Sequence, residues 1–222
     1  LAPARQQYME EYGLKHGYGT IEVMLEAVRP DIVSVCTWHL LHPAPTIAAA
    51  RAGVKGVICE KPMAIGMAAA DSMVDACAAG GTKLVISHQR RFTPGWEKAR
   101  ALVQEKAIGD VVRVDNKVAE GLTNWGTHTI DGSRFVLGDP QAEWVMGQVE
   151  RKTDHYVFGH RVEDRCAGII GYPGEVEGVL ENEMNSTYQL GANVYGTEGL
   201  LEVRDNSLKY LTKERAGWQV FT

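Results

Sequence analysis

The chain is poor in cysteine, has no long apolar run, no basic block and no internal repeat, and each shortage removes a class of function. Only four cysteines occur in 222 residues, Cys36, Cys59, Cys77 and Cys166, and none forms a CxxC pair. That spacing argues against zinc modules and dithiol redox centres. Cys36 and Cys59 fall in runs that read as buried strands, so the thiols are expected to be reduced core groups of a cytoplasmic protein. No stretch reaches the roughly 20 apolar residues of a membrane-spanning helix. Lys and Arg number 23 against 28 Asp and Glu, a net charge of -5 without any basic stripe, which excludes a nucleic-acid footprint. Ser34, Ser72 and Ser87 lie outside any GxSxG turn, so a Ser-His-Asp hydrolase has no support. His39 and His42 sit at a strand end before Pro43 with no cysteine or carboxylate cluster to complete four ligands, and no metal is expected there.

What the chain does have is ordered apolar patterning. Apolar residues make up 45% and charged residues 23%, ordinary for a globular protein. To about residue 92, short apolar runs alternate with alanine-rich helical stretches, the signature of βαβ units and a parallel sheet. Asp31 to Thr37, Val54 to Cys59 and Lys83 to Ser87 read as strands, nearly continuous in apolar character as strands covered on both faces are. Ala2 to Tyr12, Pro43 to Ala52 and Met67 to Ala79 read as helices, the latter two stopped by Gly53 and Gly80-Gly81. Gly17 to Thr20 reads as one more short strand. After a helix from about Pro94 to Lys106 the period changes: Val112, Val114 and Val118 alternate with Arg113, Asp115 and Lys117, a strand with one wet face. Strand-like runs follow at 143–149, 166–172, 176–183, 193–195, 200–203 and 208–211, interrupted by a helix from Trp125 to Leu137. The whole reads as α/β, a doubly wound parallel sheet followed by an α+β domain with a mostly antiparallel sheet.

Chemistry-bearing residues gather at the strand ends, where open α/β sheets bind ligands. Glu60-Lys61-Pro62 follows Val57-Ile58-Cys59 and puts an amine, a carboxylate and a rigid turn there. Arg90 and Arg91 follow the strand ending near Ser87; a guanidinium fork there suits a hydroxyl, carboxylate or phosphate, and Arg90 is assigned to the ligand, Arg91 to anchoring the next helix. Asn124, His128 and Asp131, spaced i, i+4 and i+7, share one helix face. His128 is the candidate base, and Asp131, one turn on, is expected to supply the negative charge that would stabilise its imidazolium.

Asp31 to Thr37, Cys59-Glu60-Lys61-Pro62, His88-Gln89-Arg90-Arg91-Phe92, Ile108-Gly109, Asn124-Trp125-Gly126-Thr127-His128 and Tyr195-Gly196-Thr197-Glu198-Gly199, taken in order, resemble the glucose-fructose oxidoreductase, inositol dehydrogenase and rhizopine-catabolism (Gfo/Idh/MocA) family. The resemblance implies an NAD(P)-dependent oxidoreductase moving a hydride between nicotinamide and a carbinol carbon of a sugar, cyclitol or related polyol. It implies a partial Rossmann domain over residues 1–92 and a substrate-binding domain over 93–222 that forms a homo-oligomer through its sheet. Lys61 matches the family lysine beside nicotinamide and substrate, and His128 the catalytic histidine. Asn124 stands where many relatives carry aspartate and joins the catalytic set with them. Thr37, Trp38, His42, Glu60, Lys61 and Pro62 fall to the cofactor side, with NAD or NADP left open; Arg90, Asn124, His128 and Asp131 fall to the substrate side. Redox-assisted glycoside cleavage or elimination, and a noncatalytic sugar or nucleotide sensor, are the alternatives within the same fold.

The sequence departs from that pattern at its start. No GxGxxG turn and no ribose-reading acidic or basic residue about 20 positions beyond it are present. The chain is therefore expected to be a fragment lacking roughly one βαβ unit, truncated also at its C-terminus and inactive in isolation. Asp31 to Thr37 is then expected to lie at a bare sheet edge.

Overall fold

The structure, a computed structural model, describes residues 2–119, 121–183 and 186–222. Two compact units divide the chain, one ending at Ser87 and the other beginning at His88.

The first unit contains helices α1 (Ala2–Glu11) and α2 (Ile21–Val28), strand β1 (Ile32–Val35), helix α3 (Pro43–Arg51), strand β2 (Gly56–Cys59), helix α4 (Met67–Gly80) and strand β3 (Lys83–Ile86). The strands form a parallel sheet in the order β1-β2-β3, aligning Val35 with Cys59 and Cys59 with Ile86. Each crossover is a helix, as parallel neighbours require. Pro43 opens α3, where its missing N–H costs nothing. Gly81 closes α4 at φ 66°, a left-handed conformation that releases its N–H to the last helical carbonyls.

Two sequence expectations fail in this unit. No strand forms at 17–20; Thr20 instead caps α2, its hydroxyl accepting from the Val23 N–H. The strands are also covered on one face only. Val33, Val35, Val57 and Cys59 pack with Leu25, Ala49 and Met73 of the helices, while Ile32, Ile58 and Val85 are 60%, 43% and 55% exposed. The same alternation corrects Cys36: it follows Val35 on the open side and is exposed, whereas Cys59, Cys77 and Cys166 are buried. Burial pushes the Cys59 and Cys166 thiols up to about 11, so these two are inert core groups. Among the described residues β1 stands at one side of this sheet, paired with β2.

The second unit opens with helix α5 (Pro94–Gln104) and strand β4 (Val111–Val118). A π-helical turn (Leu122–Gly126) then leads into helix α6 (Thr127–Val136). Strand β5 (Trp144–Glu150) and a small hairpin of β6 (Tyr156–Val157) and β7 (His160–Arg161) precede β8 (Arg165–Tyr172), β9 (Val176–Glu183), β10 (Gly191–Gly196), β11 (Leu200–Val203), β12 (Leu208–Thr212) and β13 (Arg215–Phe221). The main sheet runs β13-β12-β11-β10-β4-β9-β8-β5, antiparallel except for the parallel pair β4–β9. Helices α5 and α6 cover it through Trp96, Ala99, Leu102 and Val136, which meet Val114, Val194, Leu201, Val203 and Leu208. Each fully buried side chain of this kind stabilises by about 1.5–3 kcal/mol relative to exposure. Arg113, Asp115 and Lys117 lie on the opposite, wet face, as the period of β4 predicts, and pair there with one another and with Glu181. Among the described residues no helix is long and apolar enough to cross a membrane.

Candidate active site

In the first unit the site is built on the end of the central strand. The Glu60 N–H donates to Val35 O at 2.9 Å and the Ser87 N–H to Cys59 O at 2.8 Å, so the ladder continues one step past the strands. Glu60 and Lys61 therefore leave the sheet from fixed positions, at its carboxyl edge. The Glu60 carboxylate accepts the Lys61 backbone N–H at 3.2 Å. The Lys61-Pro62 peptide is cis.

His42, grouped with the cofactor residues by sequence, is fully buried and has a different task. Its Nδ1 lies 2.8 Å from Pro62 O and its Nε2 2.9 Å from Thr37 O. One imidazole thus ties the segment after β1 to the turn after β2. His42→Ala is expected to destabilise the unit by about 2–4 kcal/mol, from the cavity and the buried carbonyls it leaves. A lower urea midpoint, partly recovered by His42→Gln, checks this. Thr37 is exposed. Trp38, placed with the cofactor residues by the resemblance, is 59% exposed.

In the second unit the candidate base is buried: His128 is 3% exposed and Asn124 is 9%. The π-turn adds a residue just before α6, so Asn124 belongs to a wider turn than the one that carries His128. The His128 ring lies 5.8 Å from the Trp125 ring and 6.1 Å, edge-on, from His88.

The arginine and aspartate assignments change. Asp131, expected to answer His128, is gripped by Arg91, whose Nε and Nη2 each donate at 2.6 Å in a two-pronged fork. His88 Nδ1 lies 3.8 Å from the same carboxylate. The Asp131 hydrogen bond holds the Arg91 guanidinium well above its ordinary range against the opposing effect of burial. Arg91 also reaches Asp139 at 2.8 Å, and so staples the 3₁₀ turn at 89–92 to the middle of α6 and to the segment just past its end. The sequence assigns Arg90 to the ligand and Arg91 to anchoring; the structure gives both an anchoring partner. Arg90 is ion-paired with Asp205 and lies over the Trp125 ring, 5.4 Å from its centroid. Local spacing shows that these groups converge on a strand end, but not which acid each one meets.

Residues the motifs did not single out hold α6 and its π-turn in place. Asn116, on the inward side of β4, accepts from Ser133 Oγ and donates to Val179 O at 3.3 Å. Asn182 and Glu163, both buried, bind the start of the π-turn. Their one sequence signal is a polar residue at an inward strand position: Asn116 between Val114 and Val118, Asn182 after Gly178 and Leu180. Among the described residues no group of three or more His, Cys, Asp or Glu is arranged to hold a metal ion.

Comparison with known proteins agrees with this architecture. Residues 2–88 match the oxidoreductase family with NAD-binding Rossmann fold, and residues 119–202 match the GFO/IDH/MocA C-terminal domain. The trans-1,2-dihydrobenzene-1,2-diol dehydrogenase of Mus musculus is 23% identical over 217 residues, and that of Macaca fascicularis 26% over 212 residues. These alignments cover 90% and 89% of this chain and 62% of each relative, so the chain spans less than two thirds of the length of the curated relatives it matches. An inositol dehydrogenase homolog from Azotobacter vinelandii, complexed with NADH and myo-inositol, superposes with a TM-score of 0.84 at 22% identity, over 98% of this chain and 64% of that one. Levoglucosan dehydrogenase, in complex with NADH and L-sorbose, does so with 0.86 at 21% identity, over 99% and 68%. With both of its units matched to the two domain models of one family, the chain belongs to the Gfo/Idh/MocA oxidoreductases.

Proposed function

We propose that the protein of which this chain is a part, or the whole, transfers a hydride between NAD or NADP and a carbinol carbon of a sugar, cyclitol or related polyol. The observation that carries this reading is Lys61 at the carboxyl end of the central parallel strand, on a turn fixed through Pro62 by a buried histidine. That end of an open sheet is where a dinucleotide crosses.

The residues there fit the nicotinamide-ribose half of such a cofactor. Thr37 and Trp38 are exposed at the end of β1, and the Glu60 carboxylate and Lys61 amine stand at the end of β2. No GxGxxG phosphate turn occurs within these 222 residues. When bound, nicotinamide supplies the hydride acceptor. Lys61 donates to the substrate oxygen and holds it as the C–H bond breaks and negative charge develops. His128 takes the hydroxyl proton, so the alcohol becomes a carbonyl with one hydride and one proton removed. Asn124 offers an amide to the substrate in place of a carboxylate.

The test is turnover of a panel of cyclitols, aldoses and vicinal diols with NAD⁺ and NADP⁺, read as reduced-nicotinamide absorbance. Accumulation of reduced cofactor with at least one of them is expected. Cleavage of a glycosidic bond without net reduced cofactor would favour the redox-assisted lyase or hydrolase, and binding with no turnover a sensor.

A further inference from the structure

We infer that Glu163 is a positioning residue for the His128 site, acting through the two backbone amides at which the π-turn begins. Glu163 lies between β7 and β8 and is 5% exposed although it carries a carboxylate. A buried carboxylate persists only where donors converge on it, and two do so on Oε1: the Leu122 backbone N–H and the Asn182 side-chain amide, the latter at 3.2 Å. Asn182 in turn accepts the Gly121 N–H at 3.2 Å through its own Oδ1. Two consecutive amides, unable to find partners inside the turn they open, are thus held by a carboxylate and an amide that are themselves bonded together.

The anchor is rigid because of where Asn182 stands. It is fully buried near the end of β9, in register with Val118 of β4 on one side and Cys166 of β8 on the other. The middle of the eight-stranded sheet therefore fixes the Asn182 amide, Asn182 and Glu163 fix residues 121 and 122, and the π-turn carries that placement to Asn124, Trp125 and the first turn of α6 with His128. The hairpin before Glu163 adds a second hold on the same turn: His160 Nε2 lies 3.3 Å from Thr123 Oγ1. Burial pushes the His160 imidazole down, while the Glu163 charge opposes this. The assignment rests on His128 being that base, and its test is chosen to stand apart from that reading.

The experiment compares wild type with Glu163→Ala, Glu163→Gln and Asn182→Ala in the 222-residue chain. Amide hydrogen exchange at Gly121 and Leu122 and the NMR titration of the His128 imidazole are the readouts. Val203→Ala serves as a control that lowers the stability of the same unit from its far core. Glu163→Ala should speed exchange at Leu122 by roughly tenfold or more and move the His128 titration midpoint. Glu163→Gln, whose amide oxygen accepts the same two donors, should restore most of both. Asn182→Ala should expose Gly121 and shift His128 in the same direction, and Val203→Ala should leave the midpoint in place. If Glu163→Ala and Asn182→Ala leave the His128 midpoint where the control leaves it, or if Glu163→Gln fails to recover what Glu163→Ala loses, the positioning role is overturned. These readouts need no turnover. A protein carrying this chain that binds nicotinamide nucleotide and oxidises no polyol, but shows the shifts, overturns the proposed activity and keeps the positioning role. One that turns over normally, with kcat and KM unchanged in Glu163→Ala, does the reverse.

Discussion

Lys61→Ala is expected to lower kcat/KM for polyol oxidation by roughly a thousandfold or more, because the mechanism proposed above loses the amine that holds the substrate oxygen in the transition state. The turn itself should survive. It is held through Pro62 O by His42 and through the Glu60 backbone by β1, neither of which uses the lysine amine. Nicotinamide nucleotide should therefore still bind, with a Kd changed only a few-fold, and the loss should fall on kcat far more than on nucleotide affinity. Lys61→Arg keeps a cation but replaces a compact ammonium with a broad planar fork, and should recover little. Steady-state kinetics with a nucleotide titration by tryptophan quenching separate the two effects. Unchanged kcat/KM in Lys61→Ala would remove the lysine from the chemistry.

The largest effect on stability should come from Gly95→Ala, at the first turn of α5. The helix start lies directly on the turn between β11 and β12: the Gly95 N–H donates to Asp205 O at 2.9 Å, and Trp96 Nε1 donates to the Asp205 carboxylate at 3.2 Å. A methyl at residue 95 would collide with the carbonyl oxygens of Arg204, Ser207 and Asp205. All three are backbone atoms of a short hydrogen-bonded turn, with Arg204 N bonded to Ser207 O at 2.9 Å, so no side chain can swing aside. The helix must lift, which pulls the fully buried Trp96 out of the core and loosens the Asp205 contacts to Trp96 and Arg90 together. A cost of about 3–5 kcal/mol is expected, or a fall in Tm of roughly 10 °C for a domain of this size. Thermal unfolding followed by tryptophan emission reads it. A Tm within a degree or two of wild type would show that the 204–207 turn yields without cost.

Much of this architecture is legible in the sequence. Strands β1 to β3 and helices α3 and α4 fall within a few residues of the runs their apolar spacing marks, because parallel strands and their crossover helices carry unbroken apolar stretches and glycine stops. Continuous apolar character misled on one count. Ile32, Ile58 and Val85 are as apolar as Val33 and Val57, and composition alone does not tell a covered face from an open one. The strand expected at 17–20 failed because Thr20 satisfies the first amides of α2, a capping role that β propensity does not register. The π-turn before His128 was read as ordinary helix, since a single extra residue in one turn leaves almost no mark on a 3.6-residue period.

By itself the sequence determined the class of fold, the alternation of helix and strand, and the placing of Lys61, Arg90, Arg91 and His128 at strand ends and on a helix. These follow from local chemistry: apolar period, proline and glycine positions, and charged groups just past an apolar run. Only the tertiary structure decided what each group does there. Arg91 meets Asp131 forty residues away, Trp96 meets Asp205 at a separation of 109, and Glu163 reaches back 41 positions to Leu122. Such pairs are chosen by where the sheet places its strand ends in space, and neither periodicity nor spacing along the chain encodes that choice. His42 shows the difference most simply: in sequence it is one more histidine beside a proline, and in the fold it is the buried ring that holds the Lys61 turn to the end of its neighbouring strand.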